Sequence, residues 1–406
     1  MIRKLDTWQE WMESDRIIGT AFLHGWDEKK SEERFKAEAS GEKPRTETAW
    51  GAFDDAGHMT STIVTCPRRL TFDGAAINCD EVHMVGSLPE ARGGGSIRAL
   101  MQEVLKDFKA KGDPISILMP FSFVFYRKFG FELIGSYLKQ KIEIGQYAPF
   151  HCDLTVKQVL SQADANQVRA LYEAWSLTGN LASVKEDKDW AYRGGGEFGE
   201  RDWWFGDKTH YTYLFLDGTT PKGYLTFIFN HGLEGPFVGT MEVTDIAFDD
   251  PATLRSIFGF LYGMRAKITH VTLTLPRDLD LALLMPECDD VERKLGGHSM
   301  ARVLDVEQVL GLMRYPAGSG RFRIHVEDQF LPENTGTYEV PFSDGMASAV
   351  ARTDAPADLY VTEQTFCQMA LGLVDFAEAL YKEGTEFIDN AAVLQAVFVH
   401  KRILTD

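Results

Sequence analysis

The chain has 406 residues, 44% of them hydrophobic, too long for one core, so two or three domains of ordinary size are expected. Its formal net charge of −18 disfavours broad contact with nucleic-acid phosphates or anionic lipids, and apolar runs such as Ile257 to Met264 are too short to cross a bilayer. Cys66, Cys79, Cys152, Cys288 and Cys367 are odd in number and lack metal-ligand spacing, which argues against a disulfide framework; with no apolar signal core at the N-terminus, a cytoplasmic location without a metal is expected.

In chain order, helical spacing marks Asp6 to Glu13 and Lys29 to Ala39, and β-rich runs mark Thr48 to Phe53, His58 to Arg68 and Ala75 to Val85. The last of these leads into three glycines, Gly93 to Gly95, and then into a helix over Ser96 to Lys111. Glycines here leave no Cβ to hold an anion off the backbone, and the first N–H groups of the helix would face a phosphate. Ile115 to Met119 is an apolar strand ending at Pro120; Phe121 to Phe131 follows it, and Lys139 to Ile144 reads as a closing strand.

A second segment repeats this order. Val156 to Trp175 reads as a helix, then Tyr211 to Leu216, Gly223 to Asn230 and Thr240 to Phe248 as strands, Pro251 to Ala266 as a helix and Val271 to Leu275 as a strand. Trp190, Trp203 and Trp204 lie in a polar stretch that includes Gly194 to Gly196. Where the first segment has its glycine turn, this one has Asp249 and Asp250, which would repel a pyrophosphate, so it reads as a scaffold copy. From Gly296 the pattern is α+β: Met300 to Leu312 as strand then helix, strands at Gly320 to Asp328, Gly336 to Pro341 and Asp358 to Val361, then helices at Thr362 to Leu371, Leu373 to Tyr381 and Asp389 to Phe398.

Arg92-Gly93-Gly94-Gly95-Ser96-Ile97 resembles the Arg/Gln-x-x-Gly-x-Gly/Ala turn that marks the coenzyme A pyrophosphate site of the GNAT N-acetyltransferases, with Ile97 in place of the final small residue. Downstream, Phe125-Tyr126-Arg127-Lys128-Phe129-Gly130-Phe131 resembles the Tyr-x-x-x-Gly-Phe signature of the same superfamily. A phenol, with an ordinary pKa of about 10, can give its proton to a departing thiolate.

A GNAT domain, a second copy and an α+β domain make the whole chain similar to the Eis (enhanced intracellular survival) acetyltransferase family, and Ser299 to Glu307 is similar to that family's join to its last domain. The resemblance implies a mixed α/β (α+β) fold: an active GNAT domain over 1–150, a degenerate one over 151–295 and a sterol-carrier-protein-like domain over 296–406. Acetyl-CoA would contact Val85, Gly86 and Ser87, then Gly93, Gly94, Gly95, Ser96, Ile97 and Arg98, with Phe121 and Ser122 beside the thioester and Tyr126 as general acid. Two bases stay open. Glu81 lies eleven residues before Arg92, where histone-type acetyltransferases place theirs; the Eis resemblance implies the C-terminal carboxylate, here on Asp406, although that family usually ends in an aromatic residue. It further implies an amine acceptor on an aminoglycoside, polyamine or lysine side chain, no metal, and a homo-hexamer. Phe22, Trp26, Asp27, Glu28 and Glu32 offer aromatics and acids for a polycation, although for any single one of them a solvated helix face with buried aromatic anchors is the favoured reading. The alternatives are a carrier of acyl-CoA or lipid without turnover, and a protein-lysine acetyltransferase with a dedicated partner.

Overall fold

The computed structural model describes residues 1–42, 45–135, 137–194, 197–199, 209–232 and 235–404. The chain forms two compact units, one of Met1–Phe72, Ala76–Ile134 and His298–Lys401, the other of Asp73–Ala75, Gly135–Gly297 and the chain from Arg402.

The first unit opens with β1 (Ile2–Lys4), α1 (Trp8–Phe22) and α2 (Glu28–Ala39). Thr7 starts α1 with a reciprocal cap: its hydroxyl accepts the Glu10 N–H and the Glu10 carboxylate reaches back. The helix runs past the expected Glu13 because Ile17 and Ile18 extend its buried face. β2 (Thr48–Phe53), β3 (Met59–Cys66) and β4 (Arg69–Phe72) follow. The expected strand Ala75 to Val85 is two strands, β5 (Ala75–Asn78) and β6 (Glu81–Ser87). They are parted at Cys79 and Asp80, whose N–H groups bond to the Arg68 carbonyl and the Asp113 carboxylate. Next come α3 (Ser96–Lys111), β7 (Ile115–Leu118), α4 (Phe123–Arg127) and β8 (Glu132–Leu133). Leu100, Met101, Val104, Leu105 and Phe108 recur at helical spacing and bury one face of α3 in the core.

The second unit holds β9 (Tyr137–Glu143), β10 (Thr155–Gln158), α5 (Gln162–Ser176), β11 (Tyr192–Gly194), β12 (Glu197–Phe198), β13 (His210–Asp217), β14 (Thr220–Gly232), β15 (Gly235–Phe248), α6 (Pro251–Gly263), β16 (Ile268–Pro276) and β17 (Glu292–Gly296). Val156 to Gln158, expected to begin a helix, instead pairs with β13, and the helix starts after the Ser161 cap. Trp190 is buried, whereas Gly195, Gly196, Trp203 and Trp204 lie outside the described residues.

The chain then returns to the first unit with β18 (Met300–Val303) and α7 (Val306–Leu312). β19 (Ser319–Glu327), β20 (Gly336–Ser343), β21 (Met346–Ala347), β22 (Ala351–Thr353) and β23 (Leu359–Thr362) follow, then α8 (Glu363–Leu371), α9 (Phe376–Ala379), β24 (Glu386–Phe387) and α10 (Ala391–Val397). β19 to β24 make a separate sheet in which Phe322, Ile324 and Val326 of β19 are buried.

Two seven-stranded sheets, β1-β2-β3-β6-β7-β18-β8 and β10-β13-β14-β15-β16-β9-β17, correspond position for position. In each, one parallel pair (β6 with β7, β15 with β16) sits in an otherwise antiparallel order. In each, the sixth place is filled from the other segment of the chain: β9 goes to the second sheet and β18 to the first. The repeat expected from sequence is therefore present as two sheets of one topology.

Candidate active site

β6 pairs with β3 along its length, except that His83 has no partner where Val64↔Met84 steps to Thr65↔Val82, a one-residue bulge. On its other side β6 meets β7 only at Glu81↔Ile117 and Val82↔Leu118. Beyond Val82 the parallel strands part, leaving that backbone edge unpaired with β7. A cavity of about 750 Å³ is lined there by Val85, Gly86 and Ser87. An extended ligand arm carrying amides can pair with such an edge as an added strand. Gly86 serves a different neighbour than ligand approach alone suggests: a Cβ on it would lie 2.9 Å from Ile18 Cδ1, so the glycine lets α1 pack on β6.

The same cavity reaches the start of α3. Gly93 (φ 84°) and Gly95 (φ 79°) adopt left-handed backbone, and Gly95 precedes the helix without any side-chain cap. The first turn of α3 has no acidic residue. Its free N–H groups thus carry the positive end of a 16-residue helix without a carboxylate to neutralise it. Arg92, Arg98 and Lys128 also line the cavity, and among the described residues no carboxylate does. Buried Ser61 ties the two halves together, its hydroxyl lying 3.0 Å from that of Ser87 and 2.7 Å from that of Ser96. In the second sheet the equivalent helix is closed off: Asp250 accepts the Thr253 N–H at 2.7 Å and Asp249 the Thr253 hydroxyl at 2.8 Å. The backbone hydrogen bond from Thr253 holds the Asp250 carboxyl below its ordinary pKa.

At the inner end Phe121, Phe125 and Phe129 line the cavity. Ser122 caps α4, accepting the Phe125 N–H at 3.3 Å, and like Gly94 it is not a lining residue. Tyr126, 4% exposed, stands edge-on to Phe121 at 5.4 Å and Phe125 at 5.1 Å. It packs against lining residues without being one. Burial raises its phenol pKa, so it stays protonated across the neutral range.

The cavity therefore brings together Val85, Gly86, Ser87, Gly93, Gly95, Ser96, Ile97, Arg98 and Phe121. Glu81 sits apart, four residues or ~13 Å back along the strand from Val85. Its carboxylate is 2.8 Å from Arg68 Nε and 3.6 Å from His83 Nδ1. Burial alone would raise its pKa, but the His83 and Arg68 contacts outweigh it and the net shift is downward. Asp406 lies outside the described residues. Of the acceptor candidates, Phe22 lines the cavity, Asp27 caps α2 through the Lys30 N–H, and Glu32 pairs with Lys36 at 2.5 Å. Ala21, Ala91, Phe125, Lys128 and Phe129 are lining residues that sequence reasoning did not single out. Phe125, Lys128 and Phe129 flank Tyr126 within its motif, which is the signal that could have found them; Ala21 depends on tertiary packing alone.

Two models of an acetyltransferase (GNAT) domain match residues 2–134 and 183–303, and a sterol carrier protein domain model matches 306–402. No curated protein matches the sequence. Among solved structures, a conserved protein of Enterococcus faecalis V583 described as a probable N-acyltransferase is 20% identical, with 99% of this chain and 97% of that one covered at a TM-score of 0.78. A GCN5-related N-acetyltransferase from Anabaena variabilis is 19% identical, covering 98% and 97% at 0.78. Eis1 from Mycobacterium abscessus is 18% identical, covering 100% and 98% at 0.78. No helix among the described residues is long and apolar enough to cross a membrane. The chain thus carries two acetyltransferase (GNAT) domains followed by a sterol carrier protein domain, in a full-length fold shared with Eis1.

Proposed function

We propose that the enzyme moves the acetyl group of acetyl-CoA directly to an amine of a cationic acceptor. The carrying observation is one cavity joining the unpaired edge of β6, the uncapped start of α3 with three cations, and an aromatic end packed on Tyr126. The pyrophosphate would take the α3 N–H groups with Arg92, Arg98 and Lys128; the pantetheine amides would take Val85 to Ser87. The amine nitrogen attacks the thioester carbonyl carbon, the carbon–sulfur bond breaks, and the thiolate takes the Tyr126 proton. The desolvation that makes Tyr126 a weaker acid also makes a buried thiolate a stronger base, which keeps the transfer feasible.

The proton of the amine passes to a base. Glu81 is poorly suited, its carboxylate held by Arg68 and His83. The Asp406 carboxylate is the other candidate, and extending the chain by one glycine tests it: loss of activity supports it, and retention favours Glu81 or a water-relayed base. A net charge of −18 supports a cationic acceptor. Thiol release from acetyl-CoA with aminoglycosides, polyamines and lysine peptides as competing acceptors tests the whole reading. Acetyl-CoA binding without transfer to any amine would favour the carrier alternative instead.

A further inference from the structure

Tyr126 sits on a helix too short to support itself. α4 has five residues, and a helix end leaves its last carbonyls unpaired. The Arg127 carbonyl accepts the Gly130 N–H at 3.0 Å, and it and the carbonyls of the two residues after α4 also take side-chain donors from elsewhere in the chain. Gln364 Nε2 donates to the Arg127 carbonyl at 3.1 Å, Arg98 Nη1 to the Lys128 carbonyl at 3.4 Å, and Arg302 Nη1 to the Phe129 carbonyl at 2.5 Å.

Arg302, on β18, is fully buried. Its Nη2 donates to both Asp328 oxygens at 2.7 and 2.6 Å. Asp328 in turn accepts the N–H groups of Phe330 and Leu331 at 3.0 and 2.8 Å and the Asn334 amide at 3.0 Å. The guanidinium is therefore held by a satisfied loop and reaches α4 from a fixed place. Gly130 shows how closely it reaches: at φ 80°, a Cβ there would lie 1.4 Å from Arg302 Nη1. The glycine of the Tyr-x-x-x-Gly phrase is thus the opening through which Arg302 enters. Phe330, from the same loop, meets Phe129 edge-on at 5.5 Å.

We infer that Arg302, anchored by Asp328, is a positioning residue: it fixes the turn after α4, and with it the Tyr126 hydroxyl, so the part of the chain after the second unit helps to place the acid. This rests on Tyr126 being the acid. Arg302→Lys keeps a cation for Asp328 but lacks the fork that reaches Asp328 and Phe129 together. Gln364→Leu removes a second contact without touching the buried pair. In Arg302→Lys, kcat is expected to fall about 10- to 100-fold, well beyond any rise in KM for acetyl-CoA that comes through Lys128 and Phe129 in the same turn, and by less in Gln364→Leu. Amide exchange at Phe129 and Gly130 should accelerate. Added to Tyr126→Phe, the lysine change should cost little more. Unchanged kcat in Arg302→Lys, beside a lowered kcat in Tyr126→Phe, overturns the positioning role and leaves the acid in place. Unchanged kcat in Tyr126→Phe overturns the acid instead, and faster or unchanged exchange at Phe129 and Gly130 then decides the clamp alone. Parallel loss of acetyl-CoA binding and melting temperature would make Arg302 merely structural and also overturn its positioning role.

Discussion

A phenol packed among aromatic rings keeps its proton to high pH, and this sets what Tyr126 can do. With its pKa raised by burial, it donates throughout the working range and loses no function by ionising below about pH 10. Tyr126→Phe is expected to lower kcat by roughly 10²- to 10⁴-fold while calorimetry shows unchanged acetyl-CoA binding. A wild-type kcat that falls between about pH 8 and 9 would place that alkaline loss on another group. Asp113 shows the opposite use of burial. Burial first, then the charge of Asp80, raises its carboxyl pKa to about 6. Such a group binds more protons folded than unfolded between its unfolded value, near 3.9, and about 6, so stability falls as pH rises through that window and stays reduced above it. Asp113→Asn still accepts the Asp80 N–H and removes the charge. It should exceed wild type at pH 8 by up to about 3 kcal/mol and lose the advantage near pH 4, as read by urea melts. Equal stability at pH 8 would mean that Asp113 carries no buried charge.

The two crossover helices show how one element is opened or closed to an anion. α3 starts bare after Gly95, whereas α6 starts on the Asp250 carboxylate. Gly94→Asp copies the closed version into the open one. Gly94 is not in left-handed backbone, and a Cβ there meets only the Ala91 carbonyl oxygen, at 3.5 Å, so the change tests charge with little strain. KM for acetyl-CoA should rise at least about tenfold, with stability within roughly 0.5 kcal/mol; an unchanged KM would remove the pyrophosphate from the α3 start. This turn was legible because its chemistry is contiguous: glycines, a cationic neighbour and helical spacing all lie between Arg92 and Lys111. The parting of β6 from β7 was not, because the His83 bulge and the end of pairing at Val82 depend on the register of two distant strands. Gly86 carries a signal with two causes, and only the position of Ile18 shows that helix packing demands it. Val156 to Gln158 continues a helical apolar pattern yet pairs at a sheet edge, since a short run has no period of its own.

Across the whole molecule, chain order and sheet order differ, and the difference bears on stability. The first unit's sheet takes β18 between β7 and β8, a strand that the chain supplies only after the second unit. Met300, Leu304, Phe330 and Leu331 arrive with that return and are buried in one core with Phe108 and Phe131. At about 1.5–3 kcal/mol for each buried side chain, their loss removes roughly 6–12 kcal/mol, comparable with the ~5–15 kcal/mol that holds an ordinary domain together. It also strips β7 of its outer partner and leaves an apolar edge open to aggregation. A fragment of residues 1–150 is therefore expected to aggregate or to melt without cooperativity. The Ile134 N–H bonds to the Ser299 carbonyl at 3.1 Å, so a few glycines can join 1–134 to 298–401 without stretching the chain. That joined chain should melt cooperatively and bind acetyl-CoA in calorimetry, whereas a 1–150 fragment that does both would show that the returning strand is dispensable.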